Sequence, residues 1–151
     1  MMEKREFTEE MARRVIDEFK EAVRTGNLEK MLACITDDCV VGHGAVPDVP
    51  WPYHGKEEVR RYMEEQLRAF SDVDISVSNH VVSGDRLVIE EEFRCTHTGP
   101  FLSYAPTGKQ VQIKGCEVVS LRDGLVYHDR IYYDLATILR QLGVWEERRA
   151  A

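Results

Sequence analysis

Apolar residues recur at helical spacing in the N-terminal part of the chain and at every second position in the C-terminal part, which predicts helices followed by strands. Thr8 is placed to cap a first helix, with Glu9 and Glu10 in its positive first turn. Met11, Val15, Phe19, Ala22 and Val23 share one face of that helix. Gly26-Asn27 ends it and starts a second helix, striped by Leu28, Met31, Leu32 and Ile35. A short strand, Cys39–Val41, is expected next. Residues 42–55 hold three prolines and three glycines, so the sequence predicts a loop there rather than a regular element. Trp51 and Tyr53 are large aromatics for a loop; they either pack on the core or line a pocket mouth. A third helix, Lys56 to Phe70, buries Val59, Tyr62, Met63, Leu67 and Phe70.

At Val73 the period changes from 3.6 to 2. Val73, Ile75, Val77, Asn79 and Val81 form one face of a half-buried strand. Ser83-Gly84-Asp85 turns the chain into Leu87–His97, and residues 98–110 form a loop. Val111–Leu121 and Leu125–Tyr133 are joined by Asp123-Gly124, a strong hairpin signal. Asp134 caps a short last helix that Gly143 ends after Leu142. Helices first and strands as a run argue an α+β fold, a curved antiparallel sheet wrapped over three N-terminal helices. The length of 151 residues suits one domain, residues 1–151.

Alternation assigns inward faces. Leu87, Ile89, Glu91, Phe93, Cys95 and His97 form one, and Val111, Ile113, Gly115, Glu117, Val119 and Leu121 another. The last strand depends on the turn. A three-residue bulged hairpin pairs Leu121 with Tyr127, Val119 with Asp129 and Glu117 with Ile131, which turns Tyr127, Asp129, Ile131 and Tyr133 inward. A plain two-residue turn instead sends His128, Arg130 and Tyr132 inward. The bulged form is favoured, because the tighter turn buries Arg130 opposite Glu117. Glu117 and Asp129 then become diagonal neighbours in an apolar interior, where burial and proximity both disfavour ionisation. Such carboxyls either move protons near neutral pH or belong to a purely structural network.

Composition narrows the partners. Hydrophobic residues make up 43% and charged residues 31%, ordinary for a globular chain. The net charge of −7 argues against nucleic-acid and anionic-membrane partners. No apolar stretch approaches the length of a membrane span, and the charged N-terminal segment lacks a signal core, so a cytoplasmic protein is expected. Cys34, Cys39, Cys95 and Cys116 form no CxxC pair and read as small apolar residues. His43 stands at the start of the aromatic-rich loop, either as a base suited to neutral pH or as a solvent-facing residue. His97 is expected at the inner rim, bonded to the loop of residues 98–110 or facing a ligand; His54, His80 and His128 read as surface residues. Val88, Val118, Val126 and Tyr132 form an apolar patch on the outer sheet face, which predicts a homodimer through the sheet.

Tyr53-His54-Gly55-Lys56, Thr96-His97-Thr98-Gly99, Pro106-Thr107-Gly108-Lys109, Arg122-Asp123-Gly124, Tyr133-Asp134 and Arg140-Gln141-Leu142-Gly143 follow one another in an order that resembles the SnoaL-like polyketide cyclases. These belong to the nuclear-transport-factor-2-like superfamily, with ketosteroid isomerase and limonene-epoxide hydrolase. The resemblance covers nearly the whole chain. It implies a cone-shaped α+β barrel, usually dimeric, with a pocket between helices and sheet, no metal and usually no organic cofactor. The cyclases' catalytic Asp, three residues before the Asp of the closing helix, is Ile131 here, and the hydrolases' Arg-x-Asp pair is missing. Glu117 stands where the cyclases have a His and the isomerase an acidic Asp. The isomerase base falls near His43, and its phenol falls on Phe19.

Three readings follow. The first is an acid–base enzyme, an isomerase, cyclase or lyase working alpha to a carbonyl, with Glu117, Asp129 and His43 as catalytic candidates. Phe19, Trp51, Tyr53, Phe93, His97, Ile131 and Tyr133 would hold its flat hydrophobic substrate. The second is a non-catalytic binder of a hydrophobic metabolite, because Ile131 removes a catalytic Asp. The third is a structural dimer with a filled interior.

Overall fold

The structure is a computed structural model that describes residues 7–43 and 52–145. Helix α1 spans Glu9–Arg24, and Thr8 caps it by accepting the Met11 N–H at 3.2 Å. Ala12, Ile16 and Ala22 are buried, while Val15, Phe19 and Val23 on the same side front an internal cavity. Asn27 caps α2 (Leu28–Ala33), accepting from Lys30 N at 3.0 Å. Strand β1 then runs Ile35–His43, β2 is Tyr53–His54 and α3 is Gly55–Ala69. Four long strands follow: β3 (Phe70–Ser83), β4 (Arg86–His97), β5 (Gln110–Arg122) and β6 (Leu125–Tyr133). Asp134 caps α4 (Leu135–Leu142), and Gly143 closes it at φ 74°, a left-handed conformation that glycine adopts without strain.

The α+β expectation holds. The sheet is curved, open and six-stranded, in the order β2-β1-β6-β5-β4-β3. It is mixed rather than wholly antiparallel, because β1 lies parallel to β6. The first strand is three times longer than its apolar core of Cys39–Val41, since pairing with β6 carries it through His43. Tyr53–His54 is a short strand on the edge of β1, where the Pro- and Gly-rich composition predicted only loop.

The register shifts at four places, in β1, twice in β3 and in the β5–β6 pair, and two of these exchange faces assigned from the sequence. In β3 the pairing slips between Val77 and Asn79, so Ser78 is the extra residue. Beyond it the faces exchange: Val82 packs inward, Val81 is 54% exposed and Asn79 is exposed. His80 consequently turns toward α1 and hydrogen-bonds Glu9 instead of lying on the surface. In the β5–β6 hairpin, Asp123 (φ 54°) and Gly124 (φ 79°) make a two-residue turn with both residues left-handed. The turn itself is therefore not the three-residue form favoured by the sequence. The bulge lies further along, where Leu121 pairs with Val126 and Ser120 with His128, leaving Tyr127 as the extra residue. Val126 accordingly points inward, and Tyr127 lies under the Arg122 guanidinium at 5.2 Å. Past the bulge the register is the one expected: Val119 faces Asp129 and Glu117 faces Ile131.

Candidate active site

Three rungs of the concave sheet face build the site. One runs Val41–Asp129–Val119–Leu87, the next His43–Ile131–Glu117–Ile89, and the third Tyr133–Gly115–Glu91–Val77. Asp129 on β6, Glu117 on β5 and Glu91 on β4 thus step diagonally across three adjacent strands, each about 7–8 Å from the next at the backbone. All three line one cavity of about 220 Å³ between sheet and helices. Its other walls are largely apolar, including Phe19, Phe93, Ile131 and Val126, with Lys20, Gln66, Tyr62, His43 and Tyr133 as polar members. A wider mouth of about 670 Å³ adjoins it, sharing His43, Tyr62, Gln66, Phe101 and Tyr133.

Burial sets the electrostatics. Glu117 and Glu91 are each 6% exposed. Desolvation lifts the Glu117 carboxyl to about 7, against which a hydrogen bond from Glu91 pulls down. Desolvation lifts Glu91 further, to about 10, and proximity to Glu117 and Asp129 adds to it. Asp129 is held well above the usual carboxylate range by the same loss of water and by Glu117. One oxygen of Glu91 (Oε1) and one of Asp129 (Oδ1) are buried with no hydrogen-bond partner. An orphan oxygen is tolerable on a neutral carboxyl and very costly on a carboxylate.

His43 is not a loop residue facing solvent. It ends β1, is 8% exposed, and its Nε2 shares a hydrogen bond with the Tyr62 hydroxyl. Tyr133 packs edge-on at 5.0 Å between ring centroids, and Tyr53 stacks on the far side of Tyr62 at 4.7 Å. Loss of water lowers the imidazole to about 4, so His43 is neutral at neutral pH. Its Nδ1 is buried without a partner. Desolvation raises the Tyr133 phenol to about 12 and holds Tyr62 well above its usual range.

Of the residues read from the sequence, Glu117, Asp129, His43, Phe19, Phe93, Ile131 and Tyr133 meet at the cavity. Tyr53 does not reach it; it lines the mouth and backs Tyr62. His97 does not reach it either. It is fully buried against Phe70 and Phe101, and its Nδ1 accepts from the Thr107 N–H at 3.2 Å, fixing the loop of residues 98–109. Trp51 lies outside the described residues. Sequence reasoning missed Glu91, Tyr62 and Lys20 as site residues. Glu91 already stood on the inward face of its strand, two positions from Ile89, and that parity was the signal. Tyr62 stood on the buried face of its helix, but nothing local tied it to His43, 19 residues away. Among the described residues, no group of three or more His, Cys, Asp or Glu is arranged to hold a metal ion. No described helix is long and apolar enough to cross a membrane.

Comparison with known proteins gives a consistent picture. No curated protein matches the chain by sequence. Among solved structures, TsrD from Streptomyces laurentii superposes with a TM-score of 0.78 at 22% identity, over 91% of this chain and 98% of that one. IdmH from Streptomyces antibioticus, described as a candidate polyketide cyclase, superposes with a TM-score of 0.72 at 26% identity, over 88% of this chain and 99% of that one. An epoxide hydrolase of the limonene-epoxide-hydrolase type from M. tuberculosis gives 0.69 at 16% identity, over 88% and 90% of the two chains. The family model described as SnoaL-like polyketide cyclase matches residues 13–142, from the first helix to the last, and the chain belongs to that family.

Proposed function

We propose that the protein is an acid–base enzyme that moves a proton alpha to a carbonyl of a hydrophobic, polyketide- or steroid-like molecule, as an isomerase, cyclase or lyase. The observation that carries this is the diagonal of carboxyls inside an apolar cavity, where one group is poised near neutrality and its neighbours stay protonated. Read from the sequence alone, His43 or Asp129 takes the proton and protonated Glu117 donates a hydrogen bond to the enolate oxygen; the burial of the three groups favours the opposite assignment. Neutral His43, lowered to about 4, is a weak base, and Asp129 holds its proton. Glu117, at about 7, is the carboxylate that takes the proton from carbon. The electron pair moves to the carbonyl oxygen, where protonated Asp129 donates a hydrogen bond to the developing enolate. Phe19, Phe93 and Tyr133 grip the flat skeleton. The family match and relatives such as IdmH support an enzyme of this general kind.

The test follows deuterium uptake at the alpha carbon of a panel of polycyclic ketones by NMR. Wild type exchanges, and Glu117→Gln loses at least about 100-fold, the usual worth of a positioned base. Exchange unchanged by Glu117→Gln and Asp129→Asn ends this mechanism. A second reading, a binder that releases its ligand unaltered, is favoured by one observation: Ile131, in the rung between His43 and Glu117, stands where the cyclases carry their Asp. A ligand retained through purification with no exchange distinguishes it. The proposal includes a homodimer formed through the outer sheet face, supported by the cross-strand row of exposed Val81 with half-buried Val88 and Val118. It also includes a cytoplasmic setting, supported by four free thiols.

A further inference from the structure

We propose that Glu91 is a positioning residue for this site: its carboxyl keeps a proton and donates it in a hydrogen bond to Glu117, so that the cavity carries its single negative charge on Glu117. The inference rests on the reading above, in which Glu117 is the base. Glu91 and Glu117 lie on adjacent strands, one rung apart, both turned inward and both sealed from bulk water. Glu91 pairs with Gly115, so no side chain fills the space across the ladder from it. The Phe93 ring covers that gap, 3.5 Å from where a Cβ on residue 115 would sit. The Glu91 carboxyl lies within hydrogen-bonding reach of Glu117, and two carboxyls joined by such a bond need a proton on one of them.

Which one holds the proton follows from the partners of each oxygen. Glu91 and Asp129 each have a fully buried oxygen with no hydrogen-bond partner, and no Glu117 oxygen is among the fully buried unpartnered atoms of the described residues. A carboxylate on Glu91 would leave charge on an unsolvated orphan atom, whereas a carboxylate on Glu117 receives the Glu91 proton. The surrounding groups do not reverse this. Lys20 on α1 pulls charge toward Glu91, but burial and the proximity of Glu117 outweigh it. Asp129 on β6 faces Glu117 as a neutral acid, and His43 on β1, Tyr62 on α3 and Tyr133 on β6 are neutral at neutral pH. Glu91 touches no reacting atom in this scheme; it decides which of three chemically similar groups acts as base.

The experiment is a carboxyl 13C NMR titration of protein labelled at the glutamate side chains, with Glu117→Gln and Glu91→Gln used for assignment. In wild type, Glu117 should ionise near neutrality and Glu91 well after it. Glu91→Gln retains an N–H donor, so Glu117 should titrate within about half a pH unit of wild type. Glu91→Met fills the same space without a donor, and should move the Glu117 midpoint upward by at least one pH unit. The acid limb of any pH–rate profile should move with it. Glu91 ionising before Glu117 in wild type overturns the inference, as does an unmoved or lowered Glu117 in Glu91→Met. The titration needs no turnover. A Glu117 that behaves as described in a protein that exchanges no ketone therefore leaves the positioning role standing and removes only the catalytic reading.

Discussion

Glu117→Gln is expected to make the protein more stable above neutral pH, although it removes a buried hydrogen-bonded side chain. The Glu117 carboxyl ionises at about 7 in the folded protein against an ordinary value of 4.5. The folded state therefore holds this proton more tightly than the unfolded chain does. Stability is greatest below the unfolded value, falls as pH rises through the interval between the two, and is flat above the folded value. At 1.36 kcal/mol per pH unit the interval amounts to about 3 kcal/mol, reached at about pH 7.5, with only about 1 kcal/mol of it lost at pH 5. Glutamine cannot ionise and still accepts the Glu91 hydrogen bond. The stability of Glu117→Gln relative to wild type should therefore rise by about 2 kcal/mol between pH 5 and pH 7.5. Glu91 and Asp129 are lifted in the same direction in both proteins, and the comparison at two pH values cancels most of their contribution. Urea unfolding at the two pH values measures the difference directly. A difference that stays constant, or falls toward high pH, shows that Glu117 is not confined as described.

Ile131→Asp introduces a fourth carboxyl directly across from Glu117 and beside His43, and should cost about 3 kcal/mol at pH 7.5 and clearly less at pH 5. Equal stability at both values in urea unfolding would argue that water reaches this rung. Gly99→Ala should cost about 3 kcal/mol in the same assay, because a Cβ there would lie 2.0 Å from the Arg68 carbonyl oxygen where the loop crosses the end of α3; a loss under about 1 kcal/mol contradicts the close approach. Val81→Asp interrupts the Val81–Val88–Val118 row at its exposed end and should convert a dimer to a monomer by light scattering without altering far-ultraviolet dichroism; an unchanged mass moves the interface elsewhere.

Much of this was legible along the chain, for local reasons. Thr8 and Asp134 cap the helices they were read to cap, and Asn27, read as the break between two helices, caps the second, because a side-chain acceptor three residues or fewer from a free N–H is a sequence-local event. The inward positions of Glu117 and Asp129 came from parity within strands, which the sheet preserves. Parity failed where a strand carried an extra residue. Ser78 and Tyr127 leave no compositional mark as bulges, so Val81 was assigned inward and Val126 outward, the reverse of their places. The Glu117–Asp129 register was nevertheless right: the extra residue assigned to the turn is present, three positions beyond Gly124. The His43–Tyr62 pair could not be read at all, because it depends on a parallel β1–β6 pairing and on α3 crossing it, both non-local.

The central claim is that carboxyls on neighbouring strands share a chamber dry enough to keep their protons. Infrared difference spectroscopy at pH 8, where exposed carboxylates are ionised, tests it most directly through the C=O stretch of protonated carboxyls. The account predicts a protonated-carboxyl signal at that pH, losing one component in Asp129→Asn and another in Glu91→Gln. A spectrum without protonated carboxyls at pH 8 would contradict it.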